Sequence, residues 1–384
     1  ALEMLNIRQY NTRCELNQLR FKLSLNKLSE PGRPKLPLDV GRCMERELDE
    51  KVFKEPNPEQ FFYTLKDCGA LEVVFPEIDR LFGVIQPPKH HPEVDTGVHT
   101  MLVLNQAKKI SNNNHAVMYA ALTHDLGKGI TPKDMLPQHI GHETSGLPLV
   151  EEMNERLKVP SYYKTLSTKM CKLHTKTHRA FDLSNRKIYE LFKELDAYRN
   201  DKLLNDFLLS CEADARGRTG LENRVYDQPD YLRFCFDYSK NVDVKKFVEK
   251  GLKGAEIGEA VEVERIHKIQ TAKRVYPPHL KQKAEENRKS FENFDNLSNA
   301  EIIRFMKGFG VDHSSDYLEA VYNSLDVNNP KIINIAKEFS NIDANVFLEQ
   351  GLKNYQIGLA ISEYKNDIIN KYTEQLKIVK RPKL

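Results

Sequence analysis

The stretch Ala116-Val-Met-Tyr-Ala-Ala-Leu-Thr-His124-Asp125-Leu-Gly127-Lys128 decides how this chain is interpreted. Its apolar run predicts a buried helix, and the His-Asp pair places two metal-capable side chains at the end of that helix. We expect Gly127 to end the helix in a left-handed conformation, and Lys128 just beyond it to reach an anionic substrate. A His-Asp pair alone is more often a polar surface pair, so the chemistry depends on partners elsewhere in the chain.

Helical periodicity dominates the remainder of the sequence, whereas alternating segments of strand length are nearly absent. Apolar residues recur three and four positions apart, and Pro or Gly residues often separate these segments. The predicted fold class is therefore all-α. The clearest predicted helices cover residues 59–68, 97–107, 116–126, 147–157, 185–198 and 202–212.

Composition narrows the classes of function. The 384 residues carry 58 Lys and Arg against 55 Asp and Glu, and a net charge of +3 argues against a strongly basic coat for nucleic acid. Six cysteines without a CxxC pair argue against a zinc ribbon and a disulfide framework, and they favour a reducing, cytoplasmic location. No apolar run approaches the roughly 18 residues of a membrane helix, and the first residues lack the apolar core of a signal peptide. No membrane partner is therefore expected.

Several further segments carry side chains that suit a metal site. Imidazoles and carboxylates without thiolates favour Mg²⁺, Mn²⁺, Fe, Co or Ni²⁺ over a closed structural zinc. Six candidate ligands are more than one tetrahedral ion needs, so the number of ions, one or two, stays open. Two ions about 3.5–4 Å apart would activate a water and clamp a phosphoryl oxygen. The candidate ligands, in chain order, are His99, His124, Asp125, His142, His174 and Asp214.

Basic residues near these ligands are candidates for substrate binding. Lys128, Arg216 and Arg218 would neutralise phosphate charge, and Asp125 and Lys128 are the candidate catalytic residues. His139 stays open as a ligand, because it lies three residues before another candidate and shares a helical face with it. The other histidines of this region are expected at the surface or behind the ligands: His90, His91, His115 and His178.

One motif recurs after 100 residues. Residues 247–260, Phe-Val-Glu-Lys-Gly-Leu-Lys-Gly-Ala-Glu-Ile-Gly-Glu-Ala, match residues 347–360 in their Phe, Glu, Gly, Leu, Lys, Ile, Gly and Ala positions. A single repetition predicts a duplicated subdomain and not a solenoid. Two interpretations stay open. Either both copies make the same helix-packing contact, or each presents backbone and a lysine, Lys253 or Lys353, to an RNA phosphate.

Taken together, these motifs resemble HD-superfamily phosphohydrolases and, more closely, the HD-containing half of the bacterial CCA-adding enzymes, which are tRNA nucleotidyltransferases. The matching stretch runs from about residue 47 to residue 274. It includes His-Pro-Glu-Val-Asp-Thr-Gly-Val-His at 91–99 and Thr-His-Asp-Leu-Gly-Lys-Gly at 123–129. It also includes Ser-Cys-Glu-Ala-Asp-Ala-Arg-Gly-Arg-Thr-Gly at 210–220 and Gly-Leu-Lys-Gly-Ala-Glu-Ile-Gly at 251–258.

The resemblance implies a helical HD bundle with flanking helices that bind the elbow and acceptor arm of tRNA. It also implies metal-dependent 2′,3′-cyclic phosphodiesterase, 2′-nucleotidase and phosphatase activities, with Ni²⁺ or Mg²⁺ as cofactor and Mn²⁺ as a further candidate. By motif match, the metal-site roles fall to His99, His124, Asp125, His142 and His174, with Asp214 matched by context.

The chain departs from the family pattern in two ways. The nucleotidyltransferase motifs Gly-Gly-x-Val-Arg-Asp, Asp-x-Asp, Arg-Arg-Asp and Glu-Asp-x-x-Arg are not found, and residues 277–384 extend past the usual end. We therefore expect a connector or remnant at 1–50, an HD domain at 51–225, a helical body at 226–276 and a duplicated extension at 277–384.

The expected function is hydrolysis of phosphate-ester nucleotides or of a tRNA 3′ end by the HD site. The alternative is a tRNA-binding body of a CCA-adding enzyme whose nucleotidyltransferase head lies elsewhere. A homodimer stays open.

Overall fold

The computed structural model describes Leu48 and residues 51–353 and 355–379, with side chains up to Thr373. The segment expected to be a connector, residues 1–50, lies almost wholly outside the described residues. The described part is all-α, which confirms the predicted fold class, and its one β interaction is an isolated bridge between Ile85 and Asp95.

Eighteen α-helices follow one another in the described residues. Helices α1–α9 are Glu59–Asp67, Leu71–Val74, Pro76–Asp79, Thr96–Ile110, His115–Thr123, His142–Leu157, Ser161–His178, Asn185–Glu194 and Lys202–Arg216. Helices α10–α18 are Gln228–Lys240, Lys245–Glu249, Ala255–Val275, Pro277–Glu292, Asn299–Gly308, Asp316–Asn323, Pro330–Ser340, Asn345–Glu349 and Tyr355–Val379.

Helix α5 is the central helix of the first compact unit, which ends at Phe236. Every residue from Ala116 to Thr123 is buried. Helix α5 packs against α4, α7 and α9, and α6 packs on α7. A helix that is apolar on all sides is stable when neighbours cover every side, and these helices provide that cover. The His-Asp pair at its end is therefore held inside the protein.

Gly127 does not have the left-handed conformation that the sequence led us to expect. Helix α5 ends at Thr123, and Gly127 lies in the 3-10 turn Leu126–Ile130 with an ordinary negative φ. The glycine is required for space instead. A Cβ at this position would lie 2.1 Å from the carbonyl oxygen of His142 and 2.7 Å from the amide nitrogen of Gly146. Helix α6 begins at His142, earlier than the predicted start at 147, and packs directly on this turn.

The second compact unit begins at Asp237 and has a hydrophobic core of its own. Helix α12 packs on α13 and α15, and α16 packs on α18. The core includes Phe291 of α13, Ile302 of α14, Ile335 of α16 and Ile369 of α18. The domain boundaries expected at 225/226 and 276/277 stay predictions.

The repeated motif forms the same local structure twice. In each copy a five-residue helix, α11 or α17, is followed by a glycine with positive φ, +85° at Gly251 and +84° at Gly351. A long helix, α12 or α18, comes next. Gly258 and Gly358 lie inside these long helices, and a Cβ on either would meet no described atom within 4 Å. Among the described residues, these two glycines are therefore not needed for close helix packing.

The duplication also extends upstream of the motif. The side chain of Ser184 caps α8 by accepting a hydrogen bond from the third helical amide, and Ser298 caps α14 in the same way. Both helices are followed by a residue with positive φ, Asp196 after α8 and Gly310 after α14. Helices α9 and α15 then begin at matching distances. A segment much longer than the 14-residue motif is therefore present twice.

The second copy lacks the metal-ligand candidates of the first. Helix α15 ends at Asn323, whereas its counterpart α9 continues to Arg216 and carries Asp214. At the positions that match His174 and His178, helix α13 has Arg288 and Glu292. The candidate ligands therefore belong to the first copy.

Candidate metal centre

Six side chains converge at the end of α5, and they come from five segments of the chain. All of them are buried except His142, which is partly exposed. The packing of α4, α7 and α9 on α5, and of α6 on the turn that follows α5, brings together residues as far apart as 115 positions. The six are His99 on α4, His124 and Asp125 directly after α5, His142 at the start of α6, His174 on α7 and Asp214 on α9.

Three of these residues, His99, His124 and Asp214, form a group that we call group A. The Oδ1 atom of Asp214 lies 3.1 Å from His99 Nε2 and 3.7 Å from His124 Nε2. The Oδ2 atom of Asp125 borders the group, because it lies 3.0 Å from His124 Nε2 and 3.9 Å from His99 Nε2.

The other three, Asp125, His142 and His174, form group B. The Oδ1 atom of Asp125 lies 3.2 Å from His142 Nε2 and 3.6 Å from His174 Nε2, and the two Nε2 atoms are 3.4 Å apart. Asp125 therefore directs one carboxylate oxygen towards each group. A carboxylate in this position can bridge two cations.

Backbone carbonyls determine which nitrogen of each imidazole faces the centre. The Nδ1 atoms of His124, His142 and His174 lie 2.7, 2.7 and 3.0 Å from carbonyl oxygens three or four residues earlier. Because a carbonyl only accepts, each Nδ1 carries the hydrogen and each Nε2 presents a lone pair. When both imidazoles of group B are neutral, two such lone pairs and the Asp125 oxygen face one another without a donor. Three acceptors at these distances repel one another unless a cation lies between them.

Burial and neighbouring charges act differently on the individual ligands. His124 Nε2 and Asp125 Oδ1 are buried and have no hydrogen-bond partner in the described part of the chain. Burial alone would raise the pKa of Asp125, but His124 and Lys128 hold that pKa well below its usual range. Burial lowers the pKa of His174 to about 3. For His124 and His142, burial acts in the same direction, but Asp125 outweighs it and raises the pKa of both imidazoles, so a cation has to displace a proton there. Ionised carboxylates and neutral imidazoles are the forms that bind a divalent cation, so the residues present fit one.

Lys128 lies directly beside the candidate ligands and contacts Asp125. Its Nζ lies 2.7 Å from Asp125 Oδ2 and donates a hydrogen bond to Gln86 Oε1 at 3.0 Å. Only 8% of the side chain is exposed. The structure therefore brings Lys128 to the candidate ligands, while its contact with a substrate stays a prediction.

The two arginines differ in position. Arg218 Nη2 lies 3.6 Å from Asp214 Oδ1, and its Nη1 donates a hydrogen bond to the carbonyl oxygen of His90 at 3.2 Å. Arg216 Nη1 instead lies 3.0 Å from Glu212 Oε1 on the same helix. The structure thus places Arg218 at the centre and pairs Arg216 along α9.

Three curated relatives have the same name as one another, and each is similar to the chain to about the same extent. The multifunctional CCA protein of Thioalkalivibrio sulfidiphilus (strain HL-EbGR7) is 46% identical over 224 residues, which are 58% of this chain and 54% of the relative. That of Teredinibacter turnerae (strain ATCC 39867 / T7901) is 45% identical over 229 residues, 60% of this chain and 56% of the relative. That of Pseudomonas fluorescens (strain SBW25) is 46% identical over 223 residues, 58% of this chain and 54% of the relative. The chain resembles the multifunctional CCA proteins.

This likeness confirms the resemblance that the motifs indicated. The chain spans about half the length of the curated relatives it matches. No family model matches the chain. Among the described helices, none is both long and apolar enough to span a membrane.

Two more side chains lie at the centre: Glu93, which was not among the predicted residues, and His178, which was expected at the surface or behind the ligands and lies behind Asp214. Glu93 has its Oε1 2.9 Å from His99 Nδ1, and its side chain is 1% exposed. His178 has its Nε2 2.6 Å from Asp214 Oδ2, and its Nδ1 accepts a hydrogen bond from the Tyr226 hydroxyl at 2.8 Å. The one signal in the sequence was that both lie within a few residues of a candidate ligand, which does not distinguish them from surface residues.

The remaining candidates are not members of groups A and B. The ring nitrogens of His139 contact Thr131 Oγ1 at 2.8 Å and the carbonyl oxygen of Ile85 at 3.1 Å, so the ring is held outside the two groups. Lys253 and Lys353 are exposed and lie in the turns before α12 and α18, in the second compact unit. Their contact with RNA stays a prediction.

Proposed function

We propose that the chain is the HD and tRNA-binding body of an enzyme of the CCA-adding type, acting together with a nucleotidyltransferase head on another segment or chain. The likeness to multifunctional CCA proteins at 44–46% identity supports this proposal. The motifs of a head are not found in the 384 residues. The partner is then a tRNA with an incomplete or damaged 3′ end.

A second activity is favoured by the metal centre itself. We propose that it hydrolyses phosphate esters, such as a 2′,3′-cyclic phosphate or a phosphate at the end of tRNA. The observation that carries this proposal is the set of three facing acceptors, His142 Nε2, His174 Nε2 and Asp125 Oδ1. A buried arrangement of this kind costs free energy without a cation, and a structural role alone does not explain it.

The chain's own residues define what such a centre would do. Groups A and B would each hold one divalent ion, Ni²⁺, Mg²⁺ or Mn²⁺, and the bound ions would supply Lewis-acid activation of water and of a phosphoryl oxygen. Lys128 and Arg218 place positive charge beside Asp125 and Asp214, where they would offset the charge of a phosphate. The carbonyls behind the imidazoles keep the Nε2 lone pairs directed inwards during turnover.

Hydrolysis is tested on the full chain after removal of metal with a chelator. We expect cleavage of 2′,3′-cyclic AMP to return with Ni²⁺, Mn²⁺ or Mg²⁺, and D125N to lose it by at least a hundredfold, because both groups lose their shared carboxylate. H139Q is the matched control, since its ring is held outside both groups, and it should keep wild-type activity. An inactive wild type with every ion, or an active D125N, contradicts the hydrolase proposal.

The tRNA-binding role is tested separately. We expect the full chain to bind a tRNA lacking its 3′ CCA more tightly than an RNA hairpin of equal length and charge, and the affinity to fall as salt rises. Equal affinity for the two RNAs contradicts the proposal of a tRNA-specific body, whatever the result of the hydrolysis assay.

A further inference from the structure

One imidazole of the centre is oriented by a side chain and not by the backbone. The Nδ1 atoms of His124, His142 and His174 face carbonyl oxygens, whereas the Nδ1 of His99 faces Glu93 Oε1 at 2.9 Å. We propose that Glu93 is a positioning residue, which fixes the ring of His99 so that its Nε2 serves group A. This inference rests on the metal centre of the proposed function.

Glu93 is itself held by several partners. Its Oε1 accepts a hydrogen bond from His91 Nδ1 at 3.1 Å, and its Oε2 accepts one from the backbone amide of Thr219 at 3.3 Å. Thr219 follows α9, the helix that carries Asp214. The buried carboxylate of Glu93 therefore contacts the ring of His99 and also the segment that follows Asp214, and both residues belong to group A.

The chemistry of the contact explains why a carboxylate is suited to this place. A negative charge beside Nδ1 keeps the hydrogen on that nitrogen and raises the basicity of Nε2 on the opposite side of the ring. His99 Nδ1 makes no hydrogen bond within the described residues although Glu93 Oε1 lies 2.9 Å away, so Glu93 acts on the ring through its charge. Without it, the ring can place its hydrogen on Nε2, and in that form it cannot bind a cation.

The chain offers a matched control in group B. Glu143 Oε2 lies 3.6 Å from His142 Nδ1, but this nitrogen already donates to the carbonyl oxygen of His139 at 2.7 Å. Replacing Glu143 should therefore leave the ring of His142 oriented. E93Q and E143Q make the same chemical change, the first beside His99 of group A and the second beside His142 of group B. Only E93Q removes the carboxylate on which the tautomer of the neighbouring imidazole is proposed to depend.

The first measurement is a Mn²⁺ titration of the full-length protein followed by electron paramagnetic resonance. We expect wild type and E143Q to show the spectrum of two coupled ions. In E93Q the affinity of group A for Mn²⁺ should fall by roughly 10–100-fold while group B stays filled. At the Mn²⁺ concentration that gives the coupled spectrum in wild type, E93Q should therefore show the spectrum of an isolated ion. A higher Mn²⁺ concentration should restore the coupled spectrum, which would not happen if the fold were lost. E93D keeps the charge at a greater distance and should lie between E93Q and wild type.

The second measurement needs no metal. In metal-free protein at pH 8, Asp214 Oδ1 lies 3.1 Å from His99 Nε2 and competes with Glu93 for the hydrogen of the ring. The ¹⁵N shifts of His99 should therefore report a larger share of hydrogen on Nδ1 in wild type than in E93Q. If wild type takes up no Mn²⁺, the proposed function fails, and the tautomer measurement still decides the role of Glu93. An E93Q protein with the wild-type tautomer, or with the wild-type Mn²⁺ affinity at group A, overturns the inference.

Discussion

Replacing Gly127 by alanine tests whether the turn after α5 sets the position of a metal ligand. The new Cβ would lie 2.1 Å from the carbonyl oxygen and 2.9 Å from the carbonyl carbon of His142, and 2.7 Å from the amide nitrogen of Gly146. All three are backbone atoms at the start of α6, so no side chain can rotate away to make room. The helix and the turn must separate instead.

The size of the effect follows from these distances. An ordinary contact needs about 3.4 Å, so the first turn of α6 must move by roughly 1 Å. Overpacking in a well-packed interior typically costs about 1–3 kcal/mol, and a clash with backbone should fall at the upper end of that range. His142 moves with its own carbonyl, so its Nε2 should lose the 3.2 Å approach to Asp125 Oδ1. Group B should therefore bind metal more weakly as well.

The assay combines urea unfolding of the metal-free protein with Mn²⁺ titration. G258A is the control, because its Cβ meets no described atom within 4 Å and it lies inside a helix. That variant should be more stable than wild type by about 0.5–1 kcal/mol and should bind metal normally. A G127A protein whose stability lies within about 0.5 kcal/mol of wild type and which fills both groups would refute the reasoning.

Three further outcomes are expected. Burial lowers the pKa of His174 to about 3, whereas an unfolded histidine titrates near 6.5. The unfolded chain therefore binds a proton that the folded chain does not, and the metal-free protein loses stability as pH falls below about 6.5. In the H174Q variant, the free energy of unfolding in urea should depend less on pH between pH 6 and pH 4. If both turns bind RNA, replacing Lys253 and Lys353 by alanine should reduce the slope of log affinity against log salt by about two, and an unchanged slope would exclude such contacts. The chain alone should not extend a tRNA lacking CCA in the presence of labelled CTP and ATP, because its sequence lacks the motifs that align a nucleoside triphosphate, and any templated addition would contradict this expectation.

The helices of the first unit were largely predictable, because each combines a local apolar period with a Pro, Gly or polar cap. Their ends were less so. The helix expected over 185–198 ends at Glu194, because Asp196 adopts positive φ and the chain turns there. The helix expected from 147 begins at His142, because that end is determined by packing against the turn at Gly127.

The duplication shows a different limit of sequence reasoning. The motif at 247–260 and 347–360 was visible because eight of its fourteen residues are identical in both copies, among them Gly251 and Gly351 and Lys253 and Lys353. The upstream part is weaker in the sequence. Leu-Ser-Asn at 183–185 recurs at 297–299, but most of the surrounding residues differ and the spacing is 114 residues instead of 100. The left-handed position is Asp196 in one copy and Gly310 in the other, and a comparison of residue types does not detect this shared backbone geometry.

The sequence by itself determined the fold class and the kinds of side chain that the centre contains. An apolar helix must be buried, and imidazoles and carboxylates at its end suit a divalent cation. Only the tertiary structure decided that Asp125 lies between two groups, that backbone carbonyls direct three Nε2 atoms inwards, and that Glu93 lies behind His99. These are distances of about 3 Å between residues on separate helices, and such distances depend on how the helices pack and not on the order of residues along any one of them.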